Sequence, residues 1–320
     1  MQSSTVSPVP PIQHPGGIFT IDACYERPGH TSIHAIERDG SVALVDTGTA
    51  MSLPSLFKAL SALGLAARSV RWVFVTHAHL DHAGGLGALM RALPSARAVV
   101  HPRAARHLAE PGQLEAATRA VYGDAEFDRL YGQLLAVEPR RIVESENGAW
   151  FDLGGSRLQV AHTPGHALHH HVLFDPLTGS VFTGDTFGLA YPELAGPQGS
   201  LLLPTTTPTQ FDPEQMRQSI RRIAGFGADA AYVTHYGRVS GVAEQAKALQ
   251  EGVDQCVEIA ERVGPSEQAI ADALRQAWRD RAAERGCPLV GDRFDRVVDG
   301  DVRLNAQGLV AWLRRRERAG

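Results

Sequence analysis

An apolar run, Trp72 to Val75, ends in a threonine and then in four metal-ligand-type side chains within six positions, His77-Ala-His79-Leu-Asp81-His82. A buried strand cannot carry such groups inside it without a partner, so the chain must turn at this point and converge them. Histidines two apart can hold one metal through imidazole nitrogens, and the aspartate and histidine that follow can serve a second. A strand that runs straight into a polar loop is where α/β architectures place chemistry. Three histidines and an aspartate at this spacing rarely coincide by chance.

The flanking sequence supplies a frame for that turn. Before it, Ile18–Ala23, Ser32–Glu37 and Ser41–Val45 read as short strands separated by Arg-Pro-Gly-His and Asp-Gly turns. A helix follows, with Ser52 as its cap, Leu53, Leu56, Leu60 and Leu63 on one side and Gly64 as its stop. After the His-rich turn come a helix over Gly84–Leu93, a strand over Ala96–His101 and several short charged helices between Arg103 and Val137. Strand candidates recur at Arg157–His162, His170–Phe174 and Ser180–Thr183, then a helix over Pro213–Ala224 and a strand over Ala230–Thr234. Two β-rich halves, each with helices, predict two sheets packed face to face with helices outside. From about Gly241 the pattern is helical, over Val242–Val263, Ser266–Arg285 and a final helix started by Asn305. The expected organisation is a flexible arm over 1–16, a main α/β domain over 17–240 and a small helical C-terminal domain over 241–320.

Composition narrows the partners. The 320 residues carry 31 basic against 35 acidic side chains, a net charge of -4, so no global positive field favours nucleic acid. Cys24, Cys256 and Cys287 are scattered without a CxxC spacing, which argues against a disulfide framework or a thiolate metal site. The opening MQSSTVSPVPPIQHP lacks the basic start and apolar stretch of a secretory signal. No apolar run approaches the roughly 20 residues that cross a bilayer. The expectation is a cytoplasmic protein acting on a small molecule, with no membrane partner, no nucleic acid and room for a homodimer.

Five motifs in order resemble the metallo-β-lactamase superfamily: LVDTG around Asp46, THAHLDHAGG, HTPGH with His166, TGDTF with Asp185 and VTHYG with His235. The resemblance implies an αββα sandwich, here with a helical C-terminal extension. It also implies a ligand set in which His77, His79 and His166 bind one metal, Asp81, His82 and His235 bind a second, and Asp185 bridges the two. Asp46 is then a structural residue that holds the metal loop. His170 matches a position where relatives often have a second supporting histidine, His162 is structural, and Ala167 departs from the threonine usual after the ligand histidine. Asp81, Tyr191 and Tyr236 are the residues assigned to catalysis, the two phenols as donors to a substrate oxygen.

The resemblance implies two divalent metal ions, zinc first, with iron or manganese as other fits. His79 stands where flavodiiron-type relatives carry Glu, which favours a hydrolytic pair over a redox centre. The expected activity is that of a glyoxalase-II-like hydrolase, in which a metal-bound hydroxide attacks the carbonyl of a thioester, lactone or ester. Arg217, Arg221, Arg222 and Arg238 are the candidate cations for a substrate carboxylate. The segment after Asp185, with Phe187, Leu189, Tyr191 and Leu201, is expected to line a substrate wall. Three other readings share the motifs: a sulfur dioxygenase with one iron on His77, His166 and Asp185; a non-enzymatic redox or oxygen sensor; and a nuclease using Arg314, Arg315, Arg316 and Arg318.

Overall fold

Seven strands in sequence order build one sheet: β1 (Ile12–His14), β2 (Ile18–Asp22), β3 (Ser32–Arg38), β4 (Ser41–Val45), β5 (Val70–Val75), β6 (Arg97–Val100) and β7 (Ile142–Glu144). These come from a computed structural model that describes residues 9–197, 199–207 and 210–319. The first eight residues of the expected arm, and Gln198, Pro208, Thr209 and Gly320, lie outside the described residues. Strands β1 to β4 form an antiparallel meander, and β4 to β7 run parallel. The parallel part needs crossovers, and helices supply them. These are α1 (Leu53–Ala62), α2 (Leu80–Ala83), α3 (Leu86–Ala92), α4 (Pro102–Ala109), α5 (Gly112–Tyr122) and α6 (Asp124–Leu130).

Period-two alternation decides which layer each strand residue enters. Phe19, Ile21, Ile33, Ala35, Val42, Leu44, Val73, Val75, Ala98 and Val100 share one buried cluster with Leu56 and Leu60 of α1 and Leu86 and Leu89 of α3. Each fully buried side chain of this kind stabilises the fold by about 1.5–3 kcal/mol. The intervening residues face a second, antiparallel set of strands, β8 (Trp150–Leu153), β9 (Ser156–His162), β10 (His171–Asp175) and the first residues of β11 (Ser180–Gly184). Phe74 meets Phe151 edge-on at 5.3 Å, Trp72 meets the same ring at 5.3 Å, and His34 meets Phe182 at 5.6 Å. A buried Arg38–Asp175 ion pair at 2.5 Å spans the same interface. Helix, sheet and sheet are thus stacked as the alternation predicts.

Two local expectations change. Ile12–His14 pair with β2 as an edge strand, and His14 Nε2 lies 2.9 Å from Thr20 Oγ1, so the arm is ordered there by backbone partners that composition cannot reveal. Ser52 does not cap α1; Thr49 caps the preceding 3-10 turn, accepting from Met51 N at 3.2 Å while its own N–H donates to Ser52 Oγ at 3.0 Å.

The chain divides into two compact units, the layers above with Thr234–Gly237 forming the first. Thr163–His170, Thr183–Val233 and the residues from Arg238 onward form the second. It holds α7 (Pro213–Ala224), β12 (Ala230–Val233), most of β13 (Gly237–Ser240), α8 (Val242–Val263), α9 (Glu267–Glu284) and α10 (Asp292–Ala319). Asp212 caps α7 by accepting from Gln215 N at 2.9 Å, and Pro213 follows at the first turn, where its missing N–H costs nothing. The last helix begins at Asp292, and Asn305 lies buried in its middle instead of starting it. Asparagine reads as a cap from intrinsic preference, but here its Oδ1 accepts from Thr206 N at 2.6 Å and from Thr206 Oγ1 at 2.7 Å. One turn on, Gly308 leaves room for the Thr206 carbonyl, which a Cβ would meet at 1.4 Å. Helix α10 therefore clamps the Thr205–Thr206 segment. Phe187, Leu189, Tyr191 and Leu201, expected on a substrate wall, are all buried within the core. Among the described residues no helix is long and apolar enough to cross a membrane.

Candidate metal centre

The parallel strands β4 and β5 end side by side, so Asp46 and Thr76 emerge together at one edge of the sheet. Asp46 is buried and accepts from four donor groups: Thr76 N at 2.8 Å and Thr76 Oγ1 at 2.9 Å on Oδ1, the latter also 3.0 Å from Oδ2, and His82 Nδ1 at 2.8 Å and Thr234 Oγ1 at 2.8 Å on Oδ2. It ties the start of the His-rich turn, its end and the residue before His235 to one carboxylate. His77 stands directly after Thr76, whose hydroxyl lies 3.2 Å from His77 Nδ1. His77 Nε2 in turn faces His79 Nδ1 at 2.8 Å.

Asp81, on α2, faces two imidazoles. His82 Nε2 and His235 Nε2 each lie 3.3 Å from Asp81 Oδ2, and the three residues offer ligand atoms within 4.8 Å of one another. Burial alone would raise the Asp81 pKa, but His82 and His235 outweigh it and hold the carboxyl well below the usual carboxylate range. His235 Nδ1 lies 3.1 Å from the carbonyl oxygen of His30, an acceptor only, so that nitrogen carries the proton. His82 Nδ1 faces the Asp46 carboxylate and carries its proton in the same way. With Nδ1–H so placed on both rings, each Nε2 either carries a second proton, in the imidazolium form that keeps Asp81 ionised, or offers its lone pair to a cation in that proton's place.

In the second unit the same logic governs His166 and Asp185, whose Nε2 and Oδ2 stand 3.4 Å apart. Thr205 Oγ1 donates to the Asp185 carbonyl at 2.8 Å and lies 3.1 Å from His166 Nδ1. Its one proton is committed, so it accepts from Nδ1–H and leaves Nε2 as the basic nitrogen. His170 positions the other partner: its Nε2 accepts from Asp185 N at 3.2 Å, and its Nδ1 lies 2.9 Å from Thr163 Oγ1 and 3.0 Å from Thr186 Oγ1. Strand β10 starts only at His171, so His170 is a turn residue free to face Asp185.

Of the seven ligands that the resemblance implies, His77, His79, Asp81, His82 and His235 come together in the first unit, and His166 with Asp185 in the second. Tyr191 is 1% exposed. The Tyr236 hydroxyl accepts from Arg27 Nη2. Arg217 is paired with Asp254 at 2.6 Å, Arg221 reaches Glu214 at 3.6 Å and Arg316 bonds Glu261. His162 donates to the Ser145 carbonyl at 2.9 Å and its ring stands 4.2 Å from His101, within a separate histidine group that includes His171.

Sequence reading missed the groups that pin the imidazoles, Thr76, Thr205 and the carbonyl of His30, because hydroxyls and carbonyls are too common to signal anything. It also missed Tyr25 and Tyr131, buried phenols 3.1 Å apart that pack with Leu80 of α2. Burial, and next the Asp81 charge, push both of their pKa values up. Among the described residues, five non-glycine residues have positive φ: Asp46, which bonds His82, Tyr236, which follows His235, Cys24 and Glu26 on either side of Tyr25, and Asp39 in a hairpin turn. Strain of this kind, of order 1–3 kcal/mol per residue, persists where surrounding contacts over-determine it.

Residues 27–235, more than half the chain, match the family described as the Metallo-beta-lactamase superfamily. Metallo-beta-lactamase fold-containing protein ST1585 of Sulfurisphaera tokodaii is 28% identical over 220 residues, 67% of this chain and 76% of that one. The crystal structure of ST1585, an archaeal superfamily protein, aligns with a TM-score of 0.65 at 23% identity, covering 92% of this chain and 98% of that one. That likeness carries the fold class, two mixed sheets in an α/β sandwich with C-terminal helices. Acyl-coenzyme A thioesterase MBLAC2 of Homo sapiens is 30% identical over 187 residues, 53% of this chain and 63% of that one. Hydroxyacylglutathione hydrolase of Maricaulis maris is 30% identical over 147 residues, 46% of this chain and 43% of that one. The chain thus spans less than two thirds of the length of these last two relatives.

Proposed function

The chain belongs to the metallo-β-lactamase superfamily, whose members are mostly metal-dependent hydrolases, and from that premise we propose that it hydrolyses a thioester or related carboxylic ester of a small molecule with two divalent cations, zinc in the first instance. His77, His79 and His166 would hold one cation and Asp81, His82 and His235 the other, with Asp185 as a ligand available to both. Donor counting supports the set: a divalent cation in nitrogen and oxygen ligation needs about four ligands or more, and His166 with Asp185, like His77 with His79, supplies only two. Bound there, divalent cations would supply an acidified water near neutral pH and polarise a carbonyl.

The observation that carries the reading is the pinning of four imidazoles at Nδ1. His77 is pinned by Thr76, His82 by Asp46, His166 by Thr205 and His235 by the His30 carbonyl. Each pinned ring presents Nε2 as a lone pair, the state that metal ligation requires. Asp81, kept ionised between its two imidazoles, is both a proposed ligand and the catalytic side chain of the reading. Tyr236, whose hydroxyl accepts from Arg27 Nη2, is a further candidate donor to a substrate oxygen, and Tyr191 is enclosed at 1% exposure. Substrate class rests on the thioesterase and hydroxyacylglutathione hydrolase relatives, each matched over part of its length.

The test is metal quantification of the purified protein together with turnover of a panel of thioesters, lactones and aryl esters, before and after chelation. Two equivalents of metal and chelator-sensitive thioester hydrolysis are expected, lost in His77→Ala and Asp185→Ala. Hydrolysis that survives in either variant overturns the assignment.

A further inference from the structure

Thr205, Thr206 and Thr207, consecutive in the second unit, alternate in what they touch. The Thr205 hydroxyl lies 3.1 Å from His166 Nδ1, and the Thr207 hydroxyl lies 3.3 Å from Nδ1 and 3.4 Å from Nε2 of the same ring. Thr205 also donates to the Asp185 carbonyl at 2.8 Å, so one hydroxyl bridges the two proposed ligands of this unit. Thr206, between them, meets helix α10 instead. Extended chain sends successive side chains to opposite sides, so a hold on Thr206 fixes both of its neighbours.

That hold reaches the N–H, the hydroxyl and the carbonyl of Thr206. Asn305 Oδ1 accepts from Thr206 N at 2.6 Å and from its hydroxyl at 2.7 Å, and Gly308 packs where a Cβ would meet the Thr206 carbonyl oxygen at 1.4 Å. Asn305 is itself fixed, 1% exposed and donating from Nδ2 to the Asp301 carbonyl at 2.8 Å. Two turns beyond Gly308, Arg315 Nη2 donates to the Phe211 carbonyl. There the segment joins the loop of His166: Gln210 Oε1 accepts from Leu168 N at 2.9 Å, and Asp212 N donates to the Gly165 carbonyl at 2.8 Å. Upstream, Leu203 and Leu189 exchange backbone bonds at 2.9 and 3.0 Å. Thr205–Thr207 belong to no strand or helix, and a stretch without a ladder takes its place from the groups that satisfy its backbone. The anchor that adjoins both hydroxyls on His166 is Asn305.

We propose that Asn305 is a positioning residue of the metal centre: through Thr206 it fixes the Thr205 and Thr207 hydroxyls on His166, so that the C-terminal helix sets the affinity for the cation that His166 serves. This rests on the metal-binding reading and deepens it. Removal of a group that orients a ligand histidine costs about 10–100-fold in metal affinity. Asn305 acts one residue further out, and its loss loosens two such groups together. The helical C-terminal residues then belong to the site although they supply none of the proposed ligands.

The experiment is chelator competition for zinc on the full chain, with NMR of the histidine ring nitrogens in the metal-free protein, both well below the unfolding temperature. Asn305→Ala should weaken one zinc equivalent about tenfold and move the His166 ring signals. Thr206→Val, which breaks the same contact from the other side, should weaken the same equivalent less, Thr206→Ser should retain it, and the double variant should match Asn305→Ala alone, because both changes act on one link. Val298→Ala removes a buried side chain two turns before Asn305. It controls for stability and should lower the unfolding midpoint with zinc affinity and ring signals unchanged. Wild-type affinity and unmoved ring signals in both Asn305→Ala and Thr206→Val, or an equal loss in Val298→Ala, overturn the proposal. A wild-type protein that binds no zinc, with His166 signals moved by Asn305→Ala and not by Val298→Ala, retains the positioning role and removes the metal reading.

Discussion

Replacing Asp46 by Asn separates the scaffold role of this residue from its control of a proton. Oδ1 accepts from Thr76 N at 2.8 Å, a backbone donor that cannot be inverted, so the amide oxygen of the variant must take that place. The amide nitrogen then falls where Oδ2 faces Thr234 Oγ1 and His82 Nδ1, each at 2.8 Å. Thr234 can turn its hydroxyl and accept. His82 can accept only by moving its own proton from Nδ1 to Nε2, where it meets Asp81 Oδ2 at 3.3 Å. The substitution converts a lone pair into a donor and engages the neighbouring carboxylate as well.

Loss of a partner that orients a metal-binding histidine costs about 10–100-fold in metal affinity or activity. The fold should lose little, about 1–2 kcal/mol, because every donor keeps an acceptor or can become one. Asp46→Ala is the contrast. It strands the Thr76 N–H and the His82 ring in a site with no exposure and should cost about 3–5 kcal/mol. The assay is chelator competition for metal on wild type and both variants, with urea unfolding for stability and NMR of the ring nitrogens for the His82 tautomer. An Asn variant that retains wild-type affinity for both metal equivalents, with Nε2 of His82 still unprotonated, refutes the reasoning.

Thr205→Val should reduce metal affinity about 10–100-fold by releasing His166 Nδ1, and Thr205→Ser should restore it; equal affinity in all three proteins, by the same competition, would show that the hydroxyl does not set the tautomer. Asn305→Ala leaves Thr206 N–H without its acceptor in a buried position and should lower unfolding free energy by about 1–3 kcal/mol in urea titration; no change would show that α10 does not clamp this segment. Burial, then His101 and His162, push His171 from 6.5 down to about 3. The unfolded chain takes up a proton below 6.5 while the folded chain does not, so this contribution is whole above 6.5 and is lost as pH falls toward 3. The slope contributed is at most about 1.4 kcal/mol per pH unit, and His171→Gln should flatten melting curves taken across this window; identical slopes in variant and wild type would refute the effect.

The strands β2 to β6 could be read from sequence because both faces are buried and the residues on each still alternate between two clusters. The seven proposed ligands could be read because few residue types bind divalent cations through nitrogen or oxygen, and their order along the chain is restrictive. What escaped has a common physical cause. Thr205 and the carbonyl of His30 act through groups that nearly every segment possesses, so their roles exist only once the chain is folded. Asn305 is misread for a related reason: local preference places asparagine at helix starts, whereas a buried Thr206 N–H in need of an acceptor overrides a few tenths of a kcal/mol of propensity. Strand β1 is three residues long and recruited by pairing with β2, so no apolar period marks it.

A division of labour follows between residues that donate to a cation and residues that set the donors. The first group is entirely histidine and aspartate, and the second is a mixture of carboxylate, hydroxyl and main-chain oxygen. Because a hydroxyl or carboxylate can be exchanged while every ligand is kept, metal occupancy in this architecture can change without any change in the ligand motif. His235 is the exception, since its pinning group is a backbone carbonyl that no side-chain substitution removes. Its tautomer is therefore held by the path of the Cys24–His30 loop. A variant that alters the backbone between Cys24 and His30 should therefore lower metal affinity while every proposed ligand side chain is kept, which the same chelator competition would measure.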